Sequence, residues 1–189
     1  MNQSTEEINP VPKEFLLKHA EINILLSCYN DIFSDFDPSA FAERILSDDF
    51  IIQTKKISKA KSGNKILLRL LLPANKRNEE DEKVIIERLH SYFKNVHHQL
   101  VSEIRKINMR GLILTLIGTA IMIAASYISF IKPEKYSVHL LLVLFEPAGW
   151  FLLWFGLDHL VYSSKAPKKE LDFYSRMIKS EIRFFTNHN

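Results

Sequence analysis

The chain has 189 residues, of which 25 are basic and 22 acidic, and its formal net charge is +3. This balance is too weak to predict a nucleic-acid-binding domain, which is typically strongly basic. The single cysteine excludes an internal disulfide and fits a reducing compartment. The first residues, MNQSTEEINP, lack a basic segment followed by an apolar core, so we expect no signal peptide.

The N-terminal part of the sequence predicts two helices. Residues 12–33 carry apolar side chains at roughly helical spacing, which indicates the first helix. Asp37 and Pro38 are expected to begin a second, short helix, because aspartate caps free backbone amides and proline suits the first helical position.

Two strand-like runs at 50–57 and 66–73 flank the turn-forming sequence KSGN and predict a β-hairpin. A helical pattern then begins at Glu79, with an acidic first turn that suits the positive end of the helix dipole. No proline interrupts this pattern before the next apolar block, so the helix is expected to continue into that block, with Gly111 as a joint. These elements predict an α+β cytoplasmic domain over residues 1–108, made of two helices, a β-hairpin and a long helix.

The two apolar blocks that follow predict a transmembrane hairpin. Block 111–131 contains no charged residue and has the roughly 20 residues that cross a bilayer as a helix. Block 138–162 is also long enough to span, with some tilt. A surface helix of a soluble protein would show a polar face, and the first block shows none. The short external loop 132–137 makes the two spans antiparallel neighbours.

The basic residues beside the blocks predict the orientation of the hairpin. Those before the first block are Arg105, Lys106 and Arg110, and those after the second are Lys165, Lys168 and Lys169. Lysine and arginine are concentrated on the cytoplasmic side of membrane proteins, so both termini are expected in the cytoplasm. Residues 163–189 are then a cytoplasmic tail, whose amphipathic helix over 170–185 is expected either on the inner leaflet or against the soluble domain.

Glu146, inside the second block, is the first candidate for a functional residue. A carboxylate in hydrocarbon costs about 2.5–3.5 kcal/mol on insertion scales, so it is rarely idle. Pro147 follows it and removes a backbone hydrogen bond. His139, Gly149 and Gly156 lie at neighbouring angles on an ideal helix. This stripe predicts either an ion or proton path with a gate, or a packing contact with the other span or another subunit.

In the first block, Gly118, Ala120 and Ala124 are candidates for close helix packing. The lysines around the KSGN turn indicate either a solvated strand edge or a contact with lipid headgroups or a partner. Few aromatic residues lie among them, so we expect no direct nucleic-acid binding. Phosphate-loop, nucleotide, zinc-ligand and nucleophile-elbow motifs do not occur in the sequence, so we expect no enzyme, no cofactor and no metal site.

This plan resembles the two-transmembrane effectors of bacterial anti-phage systems, in particular the transmembrane protein encoded beside a retron reverse transcriptase. The strings FDPSAF at 36–41 and EPAGWF at 146–151 are also similar to those of bacterial two-span proteins. The resemblance implies a multi-pass protein of the bacterial inner membrane, held inactive by an inhibitory protein or by the reverse transcriptase with its DNA–RNA product. On infection such a toxin would permeabilise or depolarise the membrane and cause abortive infection.

Two other functions stay open. The alternatives are a non-toxic membrane anchor or accessory subunit of a complex, and a small proton- or ion-conducting protein that uses Glu146. A single hairpin is too thin to enclose a pore, so permeabilisation requires a homo-oligomer within the lipid bilayer.

Overall fold

The computed structural model describes residues 19–60, 65–131, 135–163 and 165–187. The chain divides into two compact units, the first built from Met1–Val96 and Phe173–Asn189 and the second from His97–Asp172. The elements in chain order are β1 (His19–Leu25), α1 (Asp48–Ala60), β2 (Lys65–Pro73), α2 (Glu79–Phe130), α3 (Tyr136–Asp158), α4 (Lys165–Ile178) and β3 (Glu181–Asn187). Short 3-10 turns lie at Tyr29–Ile32 and Ala74–Lys76, and a π-helical turn at His159–Ser163 follows α3.

The first unit is a mixed α+β structure around a three-stranded sheet in the order β1-β2-β3, with both strand pairs parallel. Leu68 on the central strand lies opposite Ile22 of β1 and Ile182 of β3, and all three side chains are buried. Alternate side chains of a strand share a face, so Leu70 and Leu72, both 0% exposed, extend the same core.

The order of the strands places the apolar helices inside a crossover connection. Parallel neighbours cannot be joined by a tight turn and need a longer connection. Helix α1 connects β1 to β2, whereas the connection from β2 to β3 contains α2, α3 and α4. The sheet that begins before the apolar helices is therefore completed by a strand that follows them.

The predicted β-hairpin is wrong, because residues 50–57 are part of helix α1. Phe50, Ile51, Thr54 and Ser58 are the buried residues of this helix, and their spacing is helical. The aspartates of its first turn, Asp48 and Asp49, also favour a helix N-terminus. Only the second predicted strand, 66–73, is confirmed; the predicted turn at 61–64 lies outside the described residues.

The predicted helix over 12–33 is also wrong within the described residues, since 19–25 form β1. Its earlier part, 12–18, lies outside them. The short helix predicted at Asp37 is replaced by a loop of turns. The carboxylate of Asp37 accepts hydrogen bonds from the amides of Ser39 at 3.0 Å and Ile45 at 2.7 Å, so it closes this loop instead of capping a helix.

The predicted C-terminal helix is correct as far as Ile178 and wrong beyond it. The hydroxyl of Ser180 donates to the carbonyl of Met177 at 2.6 Å, which supplies a partner at the end of α4. The chain then extends as β3, with Ile182 and Phe184 buried on the core face of the sheet.

Helix α2 is continuous from Glu79 to Phe130, as predicted from the absence of proline. Within the first unit, Ile85, Leu89 and Phe93 are 0% exposed and line one face of the helix. The ring of Tyr92 lies 6.5 Å from that of Tyr174, and burial raises the pKa of Tyr92 to about 12.

His90 on α2 predicts a pH dependence of stability. Burial lowers its pKa below the usual 6.5, so proton binding favours the unfolded chain. We expect the contribution of His90 to the free energy of unfolding to be fully present above pH 6.5 and to be lost as the pH falls below it. His90→Gln should therefore make the free energy of unfolding depend less steeply on pH. Denaturant unfolding of both chains between pH 5 and 8 measures the difference. Equal slopes for the two chains would contradict the prediction.

Candidate functional site

The second unit contains the part of α2 that follows Val96 and all of α3. Helix α2 and the helical stretch that begins with α3 both contain an 18-residue window apolar enough to cross a membrane, and 17% of each window is buried. The core helix of a soluble protein would be mostly buried. The exposed side chains include Leu116, Ile123, Val143, Leu144 and Phe151. This apolar exterior is of the kind that faces lipid.

The two helices meet through glycines. Four of the chain's five glycines are Gly111 and Gly118 on α2 and Gly149 and Gly156 on α3, and all four are buried. A Cβ atom on Gly118 would lie 2.5 Å from the backbone nitrogen of Leu153 and 2.8 Å from the carbonyl oxygen of Gly149. A Cβ atom on Gly111 would lie 2.9 Å from the carbonyl oxygen of Gly156. The two backbones are therefore in direct contact at two points.

This contact has a seven-residue period, and we call it the glycine seam. It comprises Gly111, Gly118 and Ala125 on α2 and Leu142, Gly149 and Gly156 on α3, all buried. A heptad spacing keeps one row of residues facing a neighbouring helix. Small residues in such a row bring helices close enough for backbone van der Waals contact, which drives helix association where the surroundings are as apolar as the side chains.

Of the predicted packing residues, Gly118, Gly149 and Gly156 lie in the seam, whereas Ala120 and Ala124 are exposed. Ala125, another small residue that the sequence marks as allowing close helix approach, also lies in the seam. Gly111 was predicted only as a joint, and its place in the contact was missed. The seven-residue repeat from Gly111 through Gly118 to Ala125 is the signal that identifies it.

The hydroxyl groups of two threonines beside the seam donate hydrogen bonds within their own helix. The hydroxyl of Thr115 donates to the carbonyl of Gly111 at 2.9 Å, and that of Thr119 donates to the carbonyl of Thr115 at 2.8 Å. These groups therefore need no partner outside α2.

Three other polar side chains lie beside the seam and form what we call the polar flank. Glu146 of α3 and Ser126 and Ser129 of α2 line one groove of about 560 Å³, together with Trp150. All three are exposed, and among the residues that the structure describes none of them forms a side-chain hydrogen bond or an ion pair. The hairpin thus presents an acceptor and two donors on its outer surface.

The remaining predicted site residues are exposed on α3. His139 lies seven residues before Glu146, about 20° away around an ideal helix, and so belongs to the same side of α3. Helix α3 continues through Pro147. Because proline has no amide hydrogen, the carbonyl of Val143 lacks its usual helical donor.

In a hydrocarbon environment the polar flank would find no hydrogen-bond partner. Its groups would then require water or a second polar surface at the same depth. A single pair of helices cannot enclose water.

The chain matches no protein-family model, no curated protein and no solved structure.

Proposed function

We propose that this chain is a regulated effector of an anti-phage system that assembles through its hairpin and permeabilises or depolarises the bacterial inner membrane. The observation that carries the proposal is the polar flank, with Glu146, Ser126 and Ser129 exposed on a hairpin of membrane-spanning length. Because a carboxylate facing lipid is costly, assembly that turns this surface toward other copies and toward water is favoured. A ring of such flanks would line an aqueous path.

The sheet topology supports two crossings of the membrane. Strands β1 and β2 precede the apolar helices and β3 follows them, yet all three belong to one sheet. A sheet cannot pair across a bilayer, so helices that cross must do so an even number of times. The basic residues that flank both spans then favour a cytoplasmic first unit and cytoplasmic termini.

We propose that the inhibitory partner contacts the loop that Asp37 closes. Phe36 in this loop is 98% exposed, and hydrogen bonds from Ser39 and the Ile45 amide lower the pKa of Asp37 below its usual value. An ordered loop with an exposed aromatic side chain is a common anchor in protein interfaces. The acidic residues beside Phe36, namely Asp35, Asp48 and Asp49, favour a protein surface over a nucleic-acid backbone. In a retron-type complex that surface would belong to the reverse transcriptase.

Expression of the chain alone tests the effector function. We expect tight induction in bacteria to collapse the signal of a potential-sensitive dye and to admit propidium. An interhelical polar contact is worth about 0.6–1.7 kcal/mol, so Glu146→Leu should lower the depolarised fraction roughly 3- to 20-fold at equal membrane levels.

Leu144→Ala is the matched control, because Leu144 is 60% exposed and lies on the opposite side of α3 from Glu146. It should depolarise cells as the unmodified chain does. Normal growth and potential with the unmodified chain, at confirmed insertion, would contradict autonomous toxicity and favour a membrane anchor or accessory subunit.

A proton- or ion-conducting function is the second candidate, favoured by the position of Glu146 in a groove and by Pro147, which leaves the carbonyl of Val143 without its usual helical donor. Glu146→Gln keeps a hydrogen-bonding group, but the amide cannot take up and release a proton near neutral pH. In liposomes, loss of proton flux by this variant with normal assembly would identify a conductor. Retained release of a trapped dye would instead support the effector.

A further inference from the structure

A second groove in the second unit lies at the basic end of the two spans. It has a volume of about 540 Å³ and is lined by residues of α2 between Val101 and Leu112, together with Leu160 and Lys168. Much of its wall is apolar, including Ile104, Met109, Leu112 and Leu160. It shares no residue with the polar flank.

Two cations line this groove, and none of the described residues that line it is acidic. Arg105 of α2 and Lys168 of α4 both line it and are both exposed. Among the described residues, neither forms an ion pair. Two uncompensated cations beside one groove favour a phosphate group, which accepts charge-assisted hydrogen bonds from both.

Asn108, which lines the groove, also carries an unsatisfied acceptor. The Oδ1 atom of Asn108 is buried and has no hydrogen-bond partner among the described residues. A buried acceptor is stabilised when a ligand supplies a hydroxyl or ammonium donor. A ligand that fills the groove should therefore carry a donor close to its phosphate.

We propose that this groove binds one anionic phospholipid with a glycerol headgroup. Its phosphate lies between Arg105 and Lys168, a headgroup hydroxyl donates to Asn108, and the start of an acyl chain covers the apolar wall. Basic grooves next to membrane spans bind anionic headgroups in this way. A soluble phosphate compound would meet the same cations but would leave the apolar wall uncovered. This site is independent of whether the chain permeabilises membranes.

The test uses the full chain in nanodiscs of phosphatidylcholine that contain phosphatidylglycerol, with retained lipid counted by native mass spectrometry. Each lysine or arginine near an anionic surface strengthens binding several-fold, so Arg105→Gln with Lys168→Gln should weaken phosphatidylglycerol retention roughly thirtyfold. The control, Lys106→Gln with Lys169→Gln, removes the same charge from exposed neighbours that do not line the groove. It should retain the lipid.

Equal losses in the two double variants would overturn the proposal, because the attraction would then be a general surface effect. Absence of any preference for phosphatidylglycerol over phosphatidylcholine in the unmodified chain would also overturn it.

Two further arms test the headgroup and the source of the phosphate. Asn108→Leu should abolish the preference for phosphatidylglycerol over phosphatidylmethanol, which has the same charge and no headgroup hydroxyl; an unchanged preference would remove Asn108 from the site. Free glycerol phosphate at millimolar concentration should fail to displace the lipid. Displacement at concentrations equal to those of the lipid would overturn the lipid assignment in favour of a soluble phosphate compound.

Discussion

Gly118→Ala should destabilise the hairpin by about 1–3 kcal/mol, the usual cost of adding a methyl group to a contact that has no room for it. The new Cβ atom would lie 2.5 Å from the backbone nitrogen of Leu153, and a backbone atom cannot move aside as a side-chain terminus can. The two helices must separate to admit it, and the close contact of the glycine seam is then lost. Unfolding in bicelles by added detergent, followed by the fluorescence of Trp150 and Trp154, measures the change.

Ala120→Leu is the matched control for this experiment. Ala120 lies on the same helix and is exposed, so its substitution should change the stability by less than about 0.5 kcal/mol. A Gly118→Ala hairpin as stable as that of the control would show that the helices do not meet backbone to backbone.

Glu82→Ala should destabilise the first unit by about 2–3 kcal/mol, because it breaks an ion pair with Arg77. This cost is smaller than that of breaking a fully buried ion pair, since Arg77 is partly solvated. Glu82 is buried, with 8% of the residue exposed, and its carboxylate accepts hydrogen bonds from the Nε and Nη2 atoms of Arg77 at 2.7 and 2.9 Å. The hydroxyl of Tyr29 donates to it at 3.1 Å. Burial raises the pKa of Tyr29, and the hydrogen bond to Glu82 raises the pKa of Arg77, so both remain donors at neutral pH. Removal of the carboxylate leaves both groups without this acceptor.

Amide hydrogen exchange of the central strand β2 in the full chain reports this loss. Glu80→Ala is the control, because Glu80 is an exposed carboxylate in the same first turn of α2. If exchange from β2 accelerates equally in both variants, the effect comes from the charge at the helix N-terminus and not from the buried network.

The long elements of this protein are predictable from its sequence because their patterns are unambiguous. An uncharged apolar block of membrane-spanning length has one regular structure available in lipid, and the absence of proline before Gly111 correctly predicts one continuous α2. The acidic first turn at Glu79 correctly predicts where α2 begins.

The elements of the first unit are harder to predict, because a short apolar run fits both the helical period of about 3.6 residues and the strand period of two. The spacing of Ile22, Leu25 and Leu26 is compatible with a helix. In the structure, however, Ile22 of β1 and Leu26 directly after it are buried, whereas Leu25 at the end of the strand is 65% exposed. Similarly, Ile182 and Phe185 prolong the helical spacing of α4, although the helix ends at Ile178. In both segments, pairing with the leucine-rich strand β2 overrides the local pattern, and a single sequence does not reveal that pairing.

The sequence alone points to Glu146 as a candidate site residue, but it does not reveal which side chains of the other helix lie beside it. A carboxylate in an apolar block identifies Glu146 from sequence alone. The positions of Ser126 and Ser129 beside it depend on the register of the two helices, which the glycine seam sets. Seven-residue spacing of small residues was the available signal, whereas the shorter spacing of Ala120 and Ala124 indicated a face that is exposed in the described hairpin.

The position of β3 after the two apolar helices also constrains how the protein is made. A ribosome releases β1, α1 and β2 first, and at that stage Leu68 and Leu70 lack the neighbours Ile182 and Phe184. The edge of β2 that later pairs with β3 stays open until both apolar helices have been synthesised. Such an edge is a template for unwanted pairing between nascent chains. If the two helices enter a bilayer, as their length and composition allow, prompt insertion becomes a condition for the first unit to mature, and a delay in insertion would appear first as aggregation.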